Sequence, residues 1–180
     1  LADFDPETGS IAQGAAPPYD AADIRFNDGR CDRQGRYVVG ECDLGFFHHG
    51  QKGRASLHSY DGRGLRRILD GLTVTNGLAF SPDGTRMYLA DTLERTVFVF
   101  DYDTTAGTLS NRRVFVELAA DLGLPDGAEM DSQGGYWVGL LGRSAIARFT
   151  PDGLLDRLID VPALQPTKMA FGGTDLATLY

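Results

Sequence analysis

The chain has 180 residues, with 17 Lys and Arg against 25 Asp and Glu and a formal net charge of −8. That balance argues against nucleic acid and anionic membrane surfaces as partners, because both are held through basic patches, and no apolar run approaches the ~20 residues of a membrane span. The 23 glycines are spread over many turns and form no low-complexity tract, and the length allows one domain.

In chain order, Leu1 to about Ile11 reads as the outer half of a four-stranded unit, with Phe4-Asp5 leading to a turn at Gly9. Gly9 to Asp23, with Pro17-Pro18, reads as a connection. The first full unit opens on Arg25-Phe26-Asn27-Asp28-Gly29, turns at Asp32-Arg33-Gln34-Gly35 and continues in the strand Tyr37-Val38-Val39. Phe46 to Gly53 is expected to protrude as a loop, and Tyr60-Asp61-Gly62 closes the outer hairpin. The second unit repeats this with Asn76-Gly77, Ser81-Pro82-Asp83-Gly84, Met87-Tyr88-Leu89 and Phe100-Asp101 to Gly107. The third does so with Pro125-Asp126-Gly127, Asp131-Ser132-Gln133-Gly134, Tyr136-Trp137-Val138 and Phe149 to Gly153, and Thr167 to Tyr180 opens another. The Asp, Ser, Pro and Gly of the turns preset the dihedrals that hairpins need, and the strand residues suit a pleated, half-buried surface.

Asn27 to Asn76 spans 49 residues and Asn76 to Asp126 spans 50, slightly more than the ~40–45 of common four-stranded propeller blades. Apolar residues alternate or run in short blocks and never sustain helical spacing, so helical repeats fail on pattern. The fold class is all-β, a β-propeller. A propeller protects its edge strands by closing on itself, so residues 1–180, which start without a Met, are expected to be part of a single propeller domain lacking one to three blades. Alone they are expected to be poorly stable. Cys31 and Cys42 fall too far apart in the hairpin to bridge, and two reduced thiols suit a cytoplasmic protein. With no natural amino terminus in view, a signal peptide is left open.

The first strand of each blade lines the channel, so residues at one phase of successive blades converge. Asn27, with Asp28 one position on, Asn76 and Asp126 would meet in this way, and Asn27, Asn76 and Asp126 each stand eight residues before a turn glycine, Gly35, Gly84 or Gly134. Asn-Gly and Asp-Gly also serve plain turns, but here the turn is made later in each unit. Oxygens gathered this way suit one hard divalent cation, Ca²⁺, Mg²⁺ or Mn²⁺, with Zn²⁺ open where carboxylates allow. His48-His49 reads as solvated loop, His58 as a surface or interblade residue, Trp137 as core, and Glu129 as either a charge pair or channel lining.

The chain resembles the SMP-30, gluconolactonase and luciferin-regenerating enzyme (SGL) family of six-bladed propellers. The resemblance rests on Arg25 to Gly29 with Asp32 to Gly35 and Gly40, on Thr75-Asn76-Gly77-Leu78-Ala79-Phe80-Ser81-Pro82-Asp83-Gly84 with Tyr88 and Asp91, on Phe100 to Asp103 and Leu109 to Arg113, and on Leu124-Pro125-Asp126-Gly127 with Asp131, Gly134 and Trp137-Val138. It implies a metal-dependent lactonase acting on a sugar lactone. Asn76 and Asp126 match metal ligands, Asp126 doubling as general base, and Arg25 and Asn27 match substrate contacts. A third ligand, a glutamate, would precede Leu1. A further substrate-contacting glutamate falls at Gly45, with Asp43 and Glu41 as the nearest acids, and the family's Gly-Thr-Met is here Gly40-Glu41-Cys42. Two other readings stay open: the same metal propeller acting on an aryl or organophosphate ester, and a non-catalytic binding scaffold. The oligomeric state is not legible.

Overall fold

The computed structural model describes residues 1–16, 18 and 23–180. A hairpin of β1 (Ala2–Phe4) and β2 (Ile11–Gln13) precedes three four-stranded antiparallel sheets. The first holds β3 (Ile24–Cys31), β4 (Tyr37–Asp43), β5 (Ala55–Tyr60) and β6 (Leu65–Leu72), with a one-turn helix α1 (Phe46–His49) between β4 and β5. The second holds β7 (Thr75–Phe80), β8 (Arg86–Asp91), β9 (Thr96–Asp103) and β10 (Thr108–Glu117). The third holds β11 (Leu124–Met130), β12 (Tyr136–Leu141), β13 (Ala145–Phe149) and β14 (Leu155–Asp160), and β15 (Phe171–Gly172) pairs with β16 (Thr178–Leu179) beyond it. In each sheet the strands run outward in chain order, and the inner strands β3, β7 and β11 pack side by side. These are successive blades of a propeller.

The core lies between the blades, which follows from the period of two in a strand. Met87 and Leu89 of β8 join Val38, Leu57 and Leu72 on the first blade's side, while Tyr88 and Ala90 join Tyr136, Val138 and Ala147 on the third blade's side. Both faces of the middle sheet are buried, so β8 reads as a continuous apolar run and a single blade could not be stable alone.

Aspartates fasten the inner hairpin turns. Asp131 Oδ1 accepts hydrogen bonds from Gln133 N and Gly135 N, and Oδ2 accepts from Arg148 Nε at 2.7 Å and Trp137 Nε1 at 2.9 Å. Burial alone would raise its pKa, but Arg148, Trp137 and the two backbone donors outweigh burial and hold it below the usual 3.8. A depressed carboxylate contributes stability that is present above its unfolded pKa and is lost as pH falls through the folded one. Asp131→Asn should therefore destabilise the full-length protein by about 1–3 kcal/mol at neutral pH, and thermal melts of variant and wild type should converge as pH falls through the depressed pKa of the folded carboxylate. A gap that persists in acid would mean the carboxylate charge is not what matters.

Three local expectations need correction. Phe46 to Gly53 does not simply protrude, because Phe46–His49 winds into α1, closed by Gly50 at φ 68°. For His58, expected at the surface or between blades, the surface is excluded. This histidine is 1% exposed, with Nε2 2.6 Å from Glu41 Oε1, on the face of the first blade turned away from the second. The stretch expected to connect Gly9 to Asp23 begins instead as β2, paired with β1 from Phe4↔Ile11 to Ala2↔Gln13; Pro17 and residues 19–22 lie outside the described residues. Trp137 is core, as expected, and both thiols are free. Cys42 pairs with Arg25 and Cys31 with Tyr37, which puts them at opposite ends of one hairpin. Among the described residues no helix is long and apolar enough to cross a membrane.

Candidate functional site

Each inner strand is bulged at its motif. The ladder register jumps from Phe26 to Gly29, from Asn76 to Ala79 and from Pro125 to Ala128, two residues against one on the partner strand each time. A bulge re-aims side chains and releases backbone from pairing. Gly77 supports the middle one with φ 60°. Its C=O accepts the hydroxyl of Tyr136, which is fully buried and stacked on Tyr88, and a Cβ there would strike that hydroxyl.

The bulges bring Arg25, Asn27, Asn76 and Asp126 to the wall of one cavity of about 540 Å³, together with Asp28 and Lys168. The polar groups form a chain across the blades. Asn27 Nδ2 donates to Thr75 O at 2.9 Å and to Asn76 Oδ1 at 3.0 Å, and Asn76 Nδ2 donates to Thr92 Oγ1 at 2.8 Å. Thr92 Oγ1 in turn donates to Pro125 O at 2.9 Å, one residue before Asp126. Because the Thr92 proton goes to a carbonyl, Thr92 must accept from Asn76. The Asn76 amide is thereby fixed with its oxygen on the Asn27 side.

Asp28 pins the same region. Its Oδ2 accepts Leu78 N at 2.9 Å and its Oδ1 accepts Lys168 Nζ at 2.8 Å, joining the first blade to the second and to the segment before β15. Burial first, and the negative charge of Asp28 second, push the Asp126 carboxyl up to about 6 against the opposing pull of Gly127 N–H and the Lys168 ammonium. A half-buried carboxylate and an amide oxygen held in a fixed orientation on the wall of one cavity are donor types that suit a hard divalent cation. Among the described residues no three His, Cys, Asp or Glu side chains gather as a ligand set, so a cation here would draw on the Asn76 amide and on donors beyond these two side chains.

Arg25 sits across the ladder from Cys42, whose thiol burial raises and Arg25 lowers. Glu129, left open above, forms a two-pronged ion pair with Arg30 at 2.7 and 3.1 Å that spans from the third blade to the first. Glu41 and Asp43, the acids nearest the Gly45 position, do not line the cavity. Glu41 is 3% exposed and bonded to His58 and to Ser56 N, and Asp43 is fully buried with Arg54 and His49 each 3.6 Å away. His48 and His49 stay exposed, as expected for a solvated segment, while one edge of the His49 ring reaches back to Asp43.

Thr92 and Lys168 carry no motif and are not singled out by the sequence. Thr92→Val keeps the volume but removes the link between Asn76 and Pro125. It should weaken divalent-cation binding by the full-length protein about 10–100-fold, as loss of a supporting partner commonly does. Calorimetric titration with Mn²⁺ would check this, and unchanged affinity would mean Thr92 does not position Asn76.

Residues 1–180 match the family described as the SMP-30/Gluconolactonase/LRE-like region. The chain is 37% identical over 149 residues to L-arabinolactonase of Azospirillum brasilense, which covers 83% of this chain and 49% of that protein. It is 36% identical over 169 residues to 6-deoxy-6-sulfogluconolactonase of Pseudomonas putida, covering 92% of this chain and 56% of that one. The solved structure of regucalcin, a calcium-binding protein from Agrobacterium tumefaciens, superposes with a TM-score of 0.89 at 27% identity, over 98% of this chain and 59% of that one. The chain thus spans about half the length of the curated relatives it matches.

Proposed function

Since the chain belongs to the SMP-30/gluconolactonase/LRE-like family, we propose that the full-length protein is a carboxylic ester hydrolase that opens a sugar lactone to its aldonic acid, using one divalent cation held by Asn76 and Asp126. Residues 1–180 would form part of a single six-bladed domain, with a glutamate elsewhere in the full-length chain completing the ligand set. The observation that carries this reading is the convergence of Arg25, Asn27, Asn76 and Asp126, from three blades, on one cavity. Lactonase relatives support the reaction class and the calcium-binding neighbour supports a divalent cation. Two free thiols support a reducing, cytoplasmic setting.

When bound, the cation would supply a Lewis acid that polarises the lactone carbonyl. Asp126 takes a proton from the attacking water. The ring C–O bond then breaks, and the departing ring oxygen regains a proton to become the product hydroxyl. Arg25 holds carbonyl or hydroxyl oxygens of the substrate through its several donors, and Asn27, anchored by Asn76 and Thr75, orients the ring. A binding scaffold would gain nothing from the burial that raises Asp126.

Lactone opening releases a proton. A pH-indicator assay on the full-length protein with five- and six-membered sugar lactones should show acid release that stops with chelator and resumes with Mg²⁺, Mn²⁺, Ca²⁺ or Zn²⁺. Silence across the panel would favour a scaffold, and turnover confined to aryl or organophosphate esters would move the activity to those substrates.

A further inference from the structure

The cavity lining divides by chemistry into a polar part, its floor, with Arg25, Asn27, Asp28, Asn76, Asp126 and Lys168, and an apolar part, its crown. The end of each second strand and the turn that follows contribute Leu44 and Phe47 from the first blade, Leu93 from the second and Leu141 from the third, where Leu141 pairs with Leu124. Phe47 is 69% exposed and Leu44 is 37% exposed. The acids that the sequence offers at this rim, Glu41 and Asp43, point into the first blade instead. Strand parity makes this unavoidable, because Glu41 and Asp43 share the Val39 face of β4 while Cys42, and Leu44 beyond the strand, take the opposite phase.

A polyhydroxylated ring pushed against this crown would leave hydroxyls without partners where water is displaced, and such groups are costly to desolvate. An alkyl, deoxy or aryl substituent there would cover Phe47 and Leu44, the arrangement usual in ligand pockets with few polar anchors and apolar walls. We infer that the cavity takes a cyclic ester whose ring sits on the Asn27, Asn76 and Asp126 floor and whose apolar substituent packs against Leu44, Phe47 and Leu93. This rests on the lactonase reading for the ring, and on the crown alone for the substituent.

The test has a kinetic arm and a binding arm, both on the full-length protein saturated with Mg²⁺. Relative to γ-butyrolactone, and after correction for uncatalysed hydrolysis, γ-nonalactone should show a kcat/KM at least about tenfold higher, and Phe47→Ser or Leu93→Ser should cut that ratio about fivefold, since each methylene in an apolar pocket discriminates measurably. A ratio near one, or a ratio unmoved in both variants, overturns the inference. In calorimetry, 2-pentylcyclopentanone, which has no ester to hydrolyse, should bind at least about tenfold tighter than cyclopentanone, and equal affinities overturn the inference whatever the kinetics show. If the ketone preference holds while no lactone is turned over, the apolar crown stands and the lactonase reading falls.

Discussion

Asp126→Asn in the full-length protein should lower sugar-lactone hydrolysis by about 10³-fold or more, because it removes a ligand charge and the proton acceptor together. The fold should survive. Asp126 lies in the unpaired part of a bulge, and its burial works against the charged form. A carboxylate whose folded pKa lies above its unfolded one favours folding more as pH falls, and that contribution disappears as pH rises through the folded value. Without divalent cation, the neutral amide should therefore cost no stability at pH 7 and should flatten the pH dependence between about 4 and 6. Retained turnover, measured by product formation with an aldonolactone, would remove Asp126 from the mechanism. A collapse of the melting temperature would show that the lost activity reports unfolding.

Asn76→Ala should have the second-largest effect, for a different reason. It deletes the amide oxygen and leaves the buried Thr92 Oγ1 without the donor it accepts from, while Asn27 Nδ2 keeps only Thr75 O. Metal-free stability should fall by about 1–3 kcal/mol. The larger loss should be in cation binding. A cation at a hundredfold excess over Kd stabilises a protein by about 2.7 kcal/mol, and a hundredfold weaker site reduces that to about 0.4 kcal/mol. Thermal melts with and without Mn²⁺ separate the two contributions, because only the cation-dependent increment reports the ligand. Asn76→Asp restores an oxygen and should recover part of that increment. An increment undiminished in Asn76→Ala would place the cation elsewhere.

The blade pattern is legible in the sequence because one feature recurs three times at a spacing of about 50 residues and every apolar segment has a strand's period. The same spacing puts Asn27 or Asp28, Asn76 and Asp126 at one phase of successive blades, whereas Arg25 is marked only by the family resemblance. What escapes is the local cause. Asn27-Asp28-Gly29, Asn76-Gly77 and Asp126-Gly127 look like turns by composition, and only the ladder register shows them as bulges within longer strands. Glu41 and Asp43 are visible as acids near the rim, yet their burial follows from the parity of β4, which composition does not reveal. Thr92 and Lys168 carry no motif, and Lys168 reaches Asp28 across 140 residues of chain. Contacts of that kind exist only once neighbouring blades have packed.

An anomalous difference map from crystals of the full-length protein soaked in Mn²⁺ tests the shared cation site most directly. The expected result is one peak at oxygen-ligand distances, about 2–2.6 Å, from both Asn76 Oδ1 and an Asp126 carboxylate oxygen, with Arg25 and Asn27 on the same rim. A peak that contacts neither residue, for instance one between Asp43 and His49, would contradict the account.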